Sequence, residues 1–169
     1  MTSASAGPSS PALRPMTLAE YAEWVEQSIV GYALDKVASG QWSPEASLEL
    51  SRKENRELLP LGLDTPGNHL FAIVDDDAVA VGMLWFAVKK KFGADIAYVF
   101  DVSVRAERQR EGHAARAFVA LEDEVRRLGL AGIALHVFGH NDAARALYAK
   151  LGFQPTNISL FKPIEPLRA

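Results

Sequence analysis

Apolar residues recur every three or four positions in three stretches of the chain, the spacing of one face of an α-helix. The first stretch follows Thr17, with Glu20 three residues later in the arrangement of a capping box. A further helix is predicted from Ser43-Pro44-Glu45 to about Leu59-Pro60, because proline is tolerated in a first helical turn. The three apolar faces consist of Leu18, Tyr21, Val25, Ile29 (or Ser28) and Tyr32; of Ala114, Phe118, Leu121, Val125 and Leu128; and of Ala144, Leu147, Tyr148 and Leu151.

Shorter apolar runs between turn residues predict the strands. The acidic turn Asp75-Asp76-Asp77 and the turn from Lys89 to Gly93 are interpreted as solvated hairpin turns, the acidic one in preference to a metal site. Early helices, a meander of strands and then a βαβα order predict an α/β domain with a mixed sheet. The predicted strands are Leu13 to Met16, Leu70 to Val74, Val79 to Val88, Ile96 to Val104, Ile133 to Val137, and one or two short strands within Phe153 to Pro163.

A glycine-containing turn joins the predicted central strand to the helix that follows it. The strand ends in Asp101-Val102-Ser103-Val104, and the turn reads Gln109-Arg110-Glu111-Gly112-His113-Ala114. Gly112 has no Cβ, so the backbone can approach a ligand closely there. The helix that begins at this point offers free N–H groups and its positive dipole end. The turn therefore predicts an anion site suited to a pyrophosphate.

These motifs resemble the core of the GNAT superfamily of N-acetyltransferases. The family signature is Gln or Arg, two residues, Gly, one residue, then Gly or Ala, and this chain has Gln109, Gly112 and Ala114, with Val104 eight residues before the glycine. The later family segment is matched in order by Asn141, Ala144, Leu147-Tyr148 and Leu151-Gly152-Phe153. Further similarity to a bacterial GNAT subgroup with mostly unassigned substrates lies in Ser51 to Leu61, Leu63 to Pro66, Leu135 to Asn141 and Thr156 to Ile158.

The resemblance implies a fold and a co-substrate. The fold is α/β, with a mixed, mostly antiparallel central sheet that contains a splayed parallel strand pair and is flanked by helices. Acetyl-CoA would be placed by backbone groups of Val102, Ser103 and Val104. Its pyrophosphate would lie on the turn from Gln109 through Arg110, Glu111, Gly112 and His113 to Ala114, with Arg108 or Arg110 adding a charged contact unless either is simply a solvated turn residue. Asn141 would bond the pantetheine arm, serve as a helix N-cap, or do both.

The resemblance also implies the catalytic groups. Tyr148 matches the family tyrosine near the cofactor sulfur and would act as general acid, unless its hydroxyl is bonded elsewhere. Asp101 is an even choice between general base and structural carboxylate, and as a base it would need a raised pKa or a bridging water. Tyr98 and His136 are the other candidates for the base. His113 is expected to face solvent, and His69 and His140 have no spacing typical of a metal site, so no metal is predicted.

Composition narrows the class of protein. The chain has 169 residues, 49% of them apolar, and a net charge of -3 without a basic block, so no nucleic-acid partner is expected. There is no cysteine, which excludes disulfides and a thiol nucleophile. No apolar run is long enough to span a membrane. We expect a disordered tail over residues 1–12, not a signal peptide, then one domain over residues 13–169, located in the cytoplasm.

Two other functions deserve comparison with acetyl transfer. A non-catalytic module that binds acyl-CoA would be favoured by a missing tyrosine or a broken phosphate turn, and both features are intact in the sequence. A Rossmann-type dinucleotide site would need three glycines in one turn, and only Gly112 is present. The acceptor is open among a small amine or polyamine, an aminoglycoside-like compound, and a protein or peptide amine. A homodimer is expected because the late strands can leave an edge to cover.

Overall fold

The computed structural model of the chain describes residues 12–165, so the predicted tail lies almost wholly outside the described residues. The helices are α1 (Leu18–Ala38), α2 (Pro44–Leu58), α3 (His113–Arg127) and α4 (Asp142–Lys150). The strands are β1 (Leu13–Pro15), β2 (Asn68–Val74), β3 (Ala80–Lys91), β4 (Ala94–Val104) and β5 (Ile133–Leu135). Within residues 12–165, no helix has the length and apolar character needed to cross a membrane.

The strands form one mixed sheet in the order β1-β2-β3-β4-β5. The first four strands pair antiparallel, and β4 pairs with β5 in parallel. This confirms the predicted mixed sheet, in which a helical crossover, α3, joins the two parallel strands.

Helices cover both faces of the sheet, and each face has its own apolar core. On one face α3 contributes Phe118 and Leu121, which pack with Leu84 and Phe86 of β3. On the other face α1 contributes Trp24, which packs edge-on against Trp85 with ring centroids 5.8 Å apart. The candidate site must therefore open at an end of the sheet or between strands, because both faces are occupied.

The first helix begins as its sequence predicts. The Glu20 amide donates to Thr17 Oγ1 over 3.3 Å, and the Thr17 amide donates to a Glu20 carboxylate oxygen over 2.9 Å. Arg14 also donates to Glu20, over 2.6 and 2.9 Å, and this pairing lowers the pKa of the Glu20 carboxyl to about 2. The capping box is thus confirmed and is tied to β1.

Three predictions about strands were wrong in extent or in kind. Lys89, Lys90 and Lys91 continue β3, and the turn is only Phe92-Gly93, where both φ angles are positive as in a tight hairpin. No strand is present between residues 153 and 165. The last strand, β5, stops at Leu135 instead of Val137, because its pairing with β4 ends there.

The central strand contains an extra residue at Phe100. Trp85 of β3 pairs with Asp101, whereas the next residue, Phe86, pairs with Val99, so Phe100 has no partner of its own on β3. This is a β-bulge, which bends the strand and increases its twist. Parallel pairing between β4 and β5 ends at Val99 and Leu135, immediately before the bulge. The two strands therefore separate where the bulge lies, as the predicted splayed pair requires.

Candidate active site

A cleft of about 960 Å³ opens where β4 and β5 separate. One wall is formed by α1 and α2, and the other by the segment after β5 together with α4. The residues of β4 from Tyr98 to Ser103 line its floor. Its lining includes, among the predicted site residues, Asp101, Val102, Ser103, Asn141 and Tyr148.

The predicted phosphate turn has the backbone geometry of an anion site. Arg110 and Gly112 both have positive φ, 68° and 83°, so peptide groups near the start of α3 turn their N–H groups toward one side. No described acceptor pairs with the amides of Arg110, Glu111 or Gly112. The next amides, from His113 onward, belong to the first turn of α3 and have no partner within the helix. These are the amides that the resemblance assigns to the pyrophosphate.

Side-chain charge at this turn is already neutralised in part. Arg108 donates to Asp75 and to Glu111, both over 3.0 Å. Asp75 is buried, and it also accepts from the amides of Asp77 and Val79. The interpretation of the whole acidic turn as solvated was therefore wrong for Asp75, although Asp76 and Asp77 are exposed. Arg110 is exposed and forms no ion pair with the described residues, so it is the better placed of the two arginines to meet a phosphate.

His113 does not face solvent, and this expectation is corrected. Only 6% of the residue is exposed, because it begins α3 and folds into the protein. Its Nε2 lies 2.9 Å from Glu111 Oε2, and its Nδ1 is buried without a partner among the described groups. The side chain therefore supports the turn from the interior of the protein, and only the backbone amide of His113 is available to a ligand.

The end of β4 supplies backbone groups to the cleft and fastens the turn. The side chain of Gln109 donates from Nε2 to the Val104 carbonyl over 3.0 Å, which joins the turn to the strand. Val102 and Val104 pack their side chains toward the core beneath α3, while Ser103 is exposed. Gln109 thus holds the turn through its side chain, and the ligand groups of this region are those of the backbone.

The two candidate residues of the α4 region lie on the same wall of the cleft. Asn141 is the N-cap of α4, with Oδ1 accepting from the Ala144 amide over 3.1 Å, while its Nδ2 donates to no described acceptor. Tyr148 packs its ring edge-on against Phe118, with centroids 5.6 Å apart. Its hydroxyl makes no hydrogen bond within residues 12–165. Burial, with a contribution from the Asp101 charge, raises the pKa of Tyr148 to about 12. The hydroxyl is therefore protonated near neutral pH, and Tyr148 lines the cleft.

Asp101 is the most desolvated carboxylate of the cleft. Its Oδ2 accepts from Ser28 Oγ over 2.7 Å and from Trp24 Nε1 over 3.2 Å. Burial raises the pKa of Asp101, and hydrogen bonds from Ser28, Trp24 and the Val102 backbone oppose the rise. Because the bulge turns Asp101 toward α1, its carboxylate lies in the cleft with Tyr148 instead of in the core beneath α3.

Sequence reasoning did not identify Trp24 and Ser28 as site residues. In the apolar face predicted for α1, Ser28 is an alternative to Ile29 and was the available signal, whereas Trp24, one turn before Ser28, is not part of that predicted face. Of the other base candidates, Tyr98 and His136 line the same cleft. Within residues 12–165 no group of three or more His, Asp or Glu side chains is arranged to hold a metal ion.

The fold and this cleft place the chain among the acetyltransferases. It matches the acetyltransferase (GNAT) family over residues 21–153 and belongs to that family, whose members are acetyl-CoA-dependent. An uncharacterized N-acetyltransferase of Bacillus subtilis strain 168, YycN, is 34% identical over 152 residues, covering 90% of this chain and 97% of YycN. A second from that strain, YdgE, is 28% identical with the same coverage of 90% and 97%.

Solved structures show the same fold. The crystal structure of the acetyltransferase YycN from B. subtilis matches with a TM-score of 0.86 at 33% identity, covering 91% of this chain and 98% of that one. AAC(6')-Iy, solved in complex with the bisubstrate analogue CoA-S-monomethyl-acetylneamine, matches with a TM-score of 0.59 at 16% identity, covering 91% and 97%. The second likeness is one of fold alone.

The phosphate turn can be tested at Gly112. We expect Gly112→Glu to abolish CoA binding, because it places bulk and negative charge at the positive end of α3. Isothermal titration calorimetry with CoA measures the effect. A Cβ at Gly112 meets no atom within 4 Å, so the fold should survive, with the strain of a positive φ costing about 1 kcal/mol. The control is Gly112→Ala, which adds the same strain without charge and should weaken CoA binding far less. Normal CoA affinity in Gly112→Glu would refute the site.

Proposed function

We propose that the protein transfers the acetyl group of acetyl-CoA to a primary amine by direct attack within a ternary complex. The observation that carries the proposal is one continuous cleft that holds both the unpartnered Tyr148 hydroxyl and the desolvated Asp101 carboxylate. The phosphate turn, at the end of the same strand, would anchor the other end of the co-substrate. Binding both substrates side by side supplies proximity and orientation, which is a large part of the catalytic effect in such reactions.

Each side chain has one role in this reaction. The amine reacts in its neutral form, after its ammonium has lost a proton to solvent. The nitrogen then attacks the thioester carbonyl carbon, the C–S bond breaks, and a second proton leaves the nitrogen. Asp101 accepts this proton directly or through a water molecule, and its raised pKa makes it a better base than an ordinary carboxylate. The Tyr148 hydroxyl donates a hydrogen bond to the sulfur of the departing CoA thiolate, and Asp101 gives its proton to solvent as the thiolate takes one up.

The two side chains are electrostatically coupled. The Asp101 charge contributes to the high pKa of Tyr148, although burial is the larger cause. When Asp101 takes the proton of the amine, that charge disappears and Tyr148 becomes a stronger acid as the thiolate forms. A free thiol has a pKa of about 8.5, so a tyrosine with a pKa near 12 stabilises the thiolate mainly as a hydrogen-bond donor.

Tyr98 and His136 remain alternatives for the base. Burial raises the pKa of Tyr98, so it stays protonated near neutral pH and is poorly suited to accept a proton. The His136 ring packs edge-on against Phe138, with centroids 5.2 Å apart. Asp101 is preferred because hydrogen bonds from α1 hold its carboxylate in the cleft and burial raises its pKa.

The acceptor is proposed to be a cationic amine. The ionisable residues that line the cleft include one lysine, Lys36, whose ammonium lies over the rings of Tyr32 and Trp42 at 5.3 and 5.2 Å. The acidic residues outnumber it, which favours a positively charged guest. They are Asp35, Glu54, Glu57 and Asp101.

A thiol-release assay with acetyl-CoA tests the activity and its acceptor class together. The panel comprises monoamines, polyamines, aminoglycosides and peptides with free amines, and we expect turnover with cationic members. If no member of the panel causes CoA to be released, although calorimetry shows that CoA binds, the non-catalytic acyl-CoA-binding alternative is favoured.

The predicted cytoplasmic location stays a prediction, as do the single domain over residues 13–169 and the absence of nucleic-acid and membrane partners.

A homodimer is proposed on the basis of the last part of the described chain. Among residues 12–165, β5 pairs with β4 alone, so its other edge carries no strand. The segment after Phe153 is also almost fully exposed. Its large apolar residues Ile158, Leu160, Phe161 and Ile164 each expose between 77% and 91% of their surface. A second copy would cover both the edge and these side chains.

Light scattering of the full chain measures the oligomer. We expect a mass about twice 18.4 kDa, and we expect Phe161→Asp to halve it by placing a charge in the apolar contact. The matched control is Phe92→Asp, an exposed phenylalanine in the turn between β3 and β4, outside this segment. A monomer at the concentrations of the activity assay would contradict the proposal.

Tyr148→Phe tests the proposed donor. The substitution keeps the ring and its packing on Phe118, so we expect stability to change by about 1 kcal/mol or less. Turnover should fall by roughly 100-fold or more, the usual contribution of a positioned acid, with little change in acetyl-CoA affinity. Steady-state kinetics with an active amine gives the answer. Tyr21→Phe, in a tyrosine packed against Trp24, is the control and should keep near-normal turnover. Near-normal turnover in Tyr148→Phe would show that water protonates the thiolate.

A further inference from the structure

The first helix donates two hydrogen bonds to one oxygen of Asp101. Ser28 Oγ lies 2.7 Å from Oδ2, and Trp24 Nε1 lies 3.2 Å from the same atom. The two donors are four residues apart on α1, so they project from one face of the helix, one turn apart. The Val102 backbone also hydrogen-bonds the carboxylate, whereas no described side chain donates to the other oxygen, Oδ1.

We propose that Ser28, assisted by Trp24, is a positioning residue for acetyl transfer, which fixes the Asp101 carboxylate and leaves its Oδ1 to receive the proton of the amine. The proposal rests on the assignment of Asp101 as the base. Ser28 acts through Asp101, and no contact between Ser28 and the substrate is required.

The geometry gives the pair a defined task. A buried carboxylate that is not hydrogen-bonded would avoid ionisation, and its side chain could rotate away from the amine. The Ser28 hydroxyl can hold one oxygen in place and stabilise the anion without supplying a full opposite charge. An arginine or lysine in its place would stabilise the anion so strongly that the carboxylate would be a poor base. A neutral donor therefore suits a carboxylate that must be ionised before the reaction and protonated after it.

Other titratable groups face Asp101 from each surrounding element and must be considered in any pH experiment. The Asp35 charge contributes to the raised pKa of Asp101, and Asp101 in turn contributes to that of Tyr148. The groups that line the cleft around it are Tyr32, Asp35 and Lys36 on α1, Glu54 and Glu57 on α2, Tyr98 on β4, His136 after β5 and Tyr148 on α4. All of them are unchanged in a Ser28 variant, so the ratio of variant to wild-type activity at each pH isolates the effect on Asp101.

The test is the pH dependence of kcat/KM for Ser28→Ala with one active amine. Loss of the hydroxyl raises the pKa of Asp101, so less of the ionised form is present at any pH below that pKa. We expect kcat/KM to fall about tenfold on the acidic limb of the pH profile, the value of one hydrogen bond to a charged group. The deficit should shrink as the pH rises and Asp101 becomes ionised again. Ser28→Thr, which keeps the hydroxyl, should restore most of the activity.

The matched control is Ser51→Ala. Ser51 is also buried, and its Oγ donates over 2.7 Å, but to the carbonyl of Ile29 instead of a carboxylate. Its loss should lower stability by about as much as the loss of Ser28 without changing the shape of the pH profile. Trp24→Phe should shift the profile in the same direction as Ser28→Ala, which provides a second variant if the serine substitution harms folding.

Carbon-13 NMR of aspartate-labelled protein reads the carboxyl directly and needs no activity. The Asp101 signal is the one absent from Asp101→Asn, and its titration should move to higher pH in Ser28→Ala. An unchanged titration, or an activity deficit that is the same at every pH, would overturn the positioning role of Ser28. Wild-type turnover in Asp101→Asn would instead overturn the assignment of Asp101 as the base, so the two failures are distinguishable.

Discussion

The arrangement of the site depends on one extra residue in the central strand. Side chains alternate between the two faces of a regular strand, so Ala97, Val99 and Asp101 would all point toward the core beneath α3. The bulge at Phe100 shifts this alternation by one residue. Ala97 and Val99 stay in that core, Val102 and Val104 replace Asp101 and Ser103 there, and Asp101 turns toward α1. A carboxylate is thereby kept out of an apolar core and placed in the cleft.

The same residue also opens the cleft. Phe100 packs on the α1 side of the sheet, where its ring stacks on Trp85 at 4.7 Å, and so the bulge is held by apolar contact. The bend in β4 occurs where its pairing with β5 ends, and the unpaired backbone beyond that point becomes available to a ligand. The binding groups of the cleft and the direction of Asp101 thus share a single cause. This explains why the carboxylate that we propose as the base and the backbone groups proposed to bind the co-substrate can lie side by side on one strand.

Much of the fold could be predicted because its signals are local. The Thr17–Glu20 box, the stripe of α3 and the Asn141 cap depend on residues within one or two turns of each other, and all are present. The bulge could not be predicted, because the sequence around Phe100 is that of an ordinary strand. Phe100 is an extra residue only in the pairing of β4 with β3, where it has no partner. The burial of Asp75 and of His113 was missed because it also depends on contacts between distant parts of the chain. Their partner Arg108 lies close to the start of α3 and is 33 residues along the chain from Asp75, in the hairpin turn.

The ion pair between Arg108 and Asp75 affects how the proposed phosphate turn would bind an anion. Arg108, which the sequence offers as a phosphate contact, is committed to Asp75 and Glu111, and these carboxylates offset its charge. In the proposed site, attraction for a pyrophosphate comes mainly from the free amides of the turn and the positive end of α3, with exposed Arg110 as an adjustable addition. Fixed amides lose little entropy on binding, whereas a long arginine side chain loses much of its rotamer freedom.

The network around Arg108 therefore contributes by holding the backbone of the turn rigid. Arg108 fastens the turn to the β2–β3 hairpin on one side, and Gln109 fastens it to β4 on the other. Affinity for the co-substrate is then determined more by the shape of this turn than by its net charge, which is why a residue that only supports the turn can matter as much as one that touches the ligand.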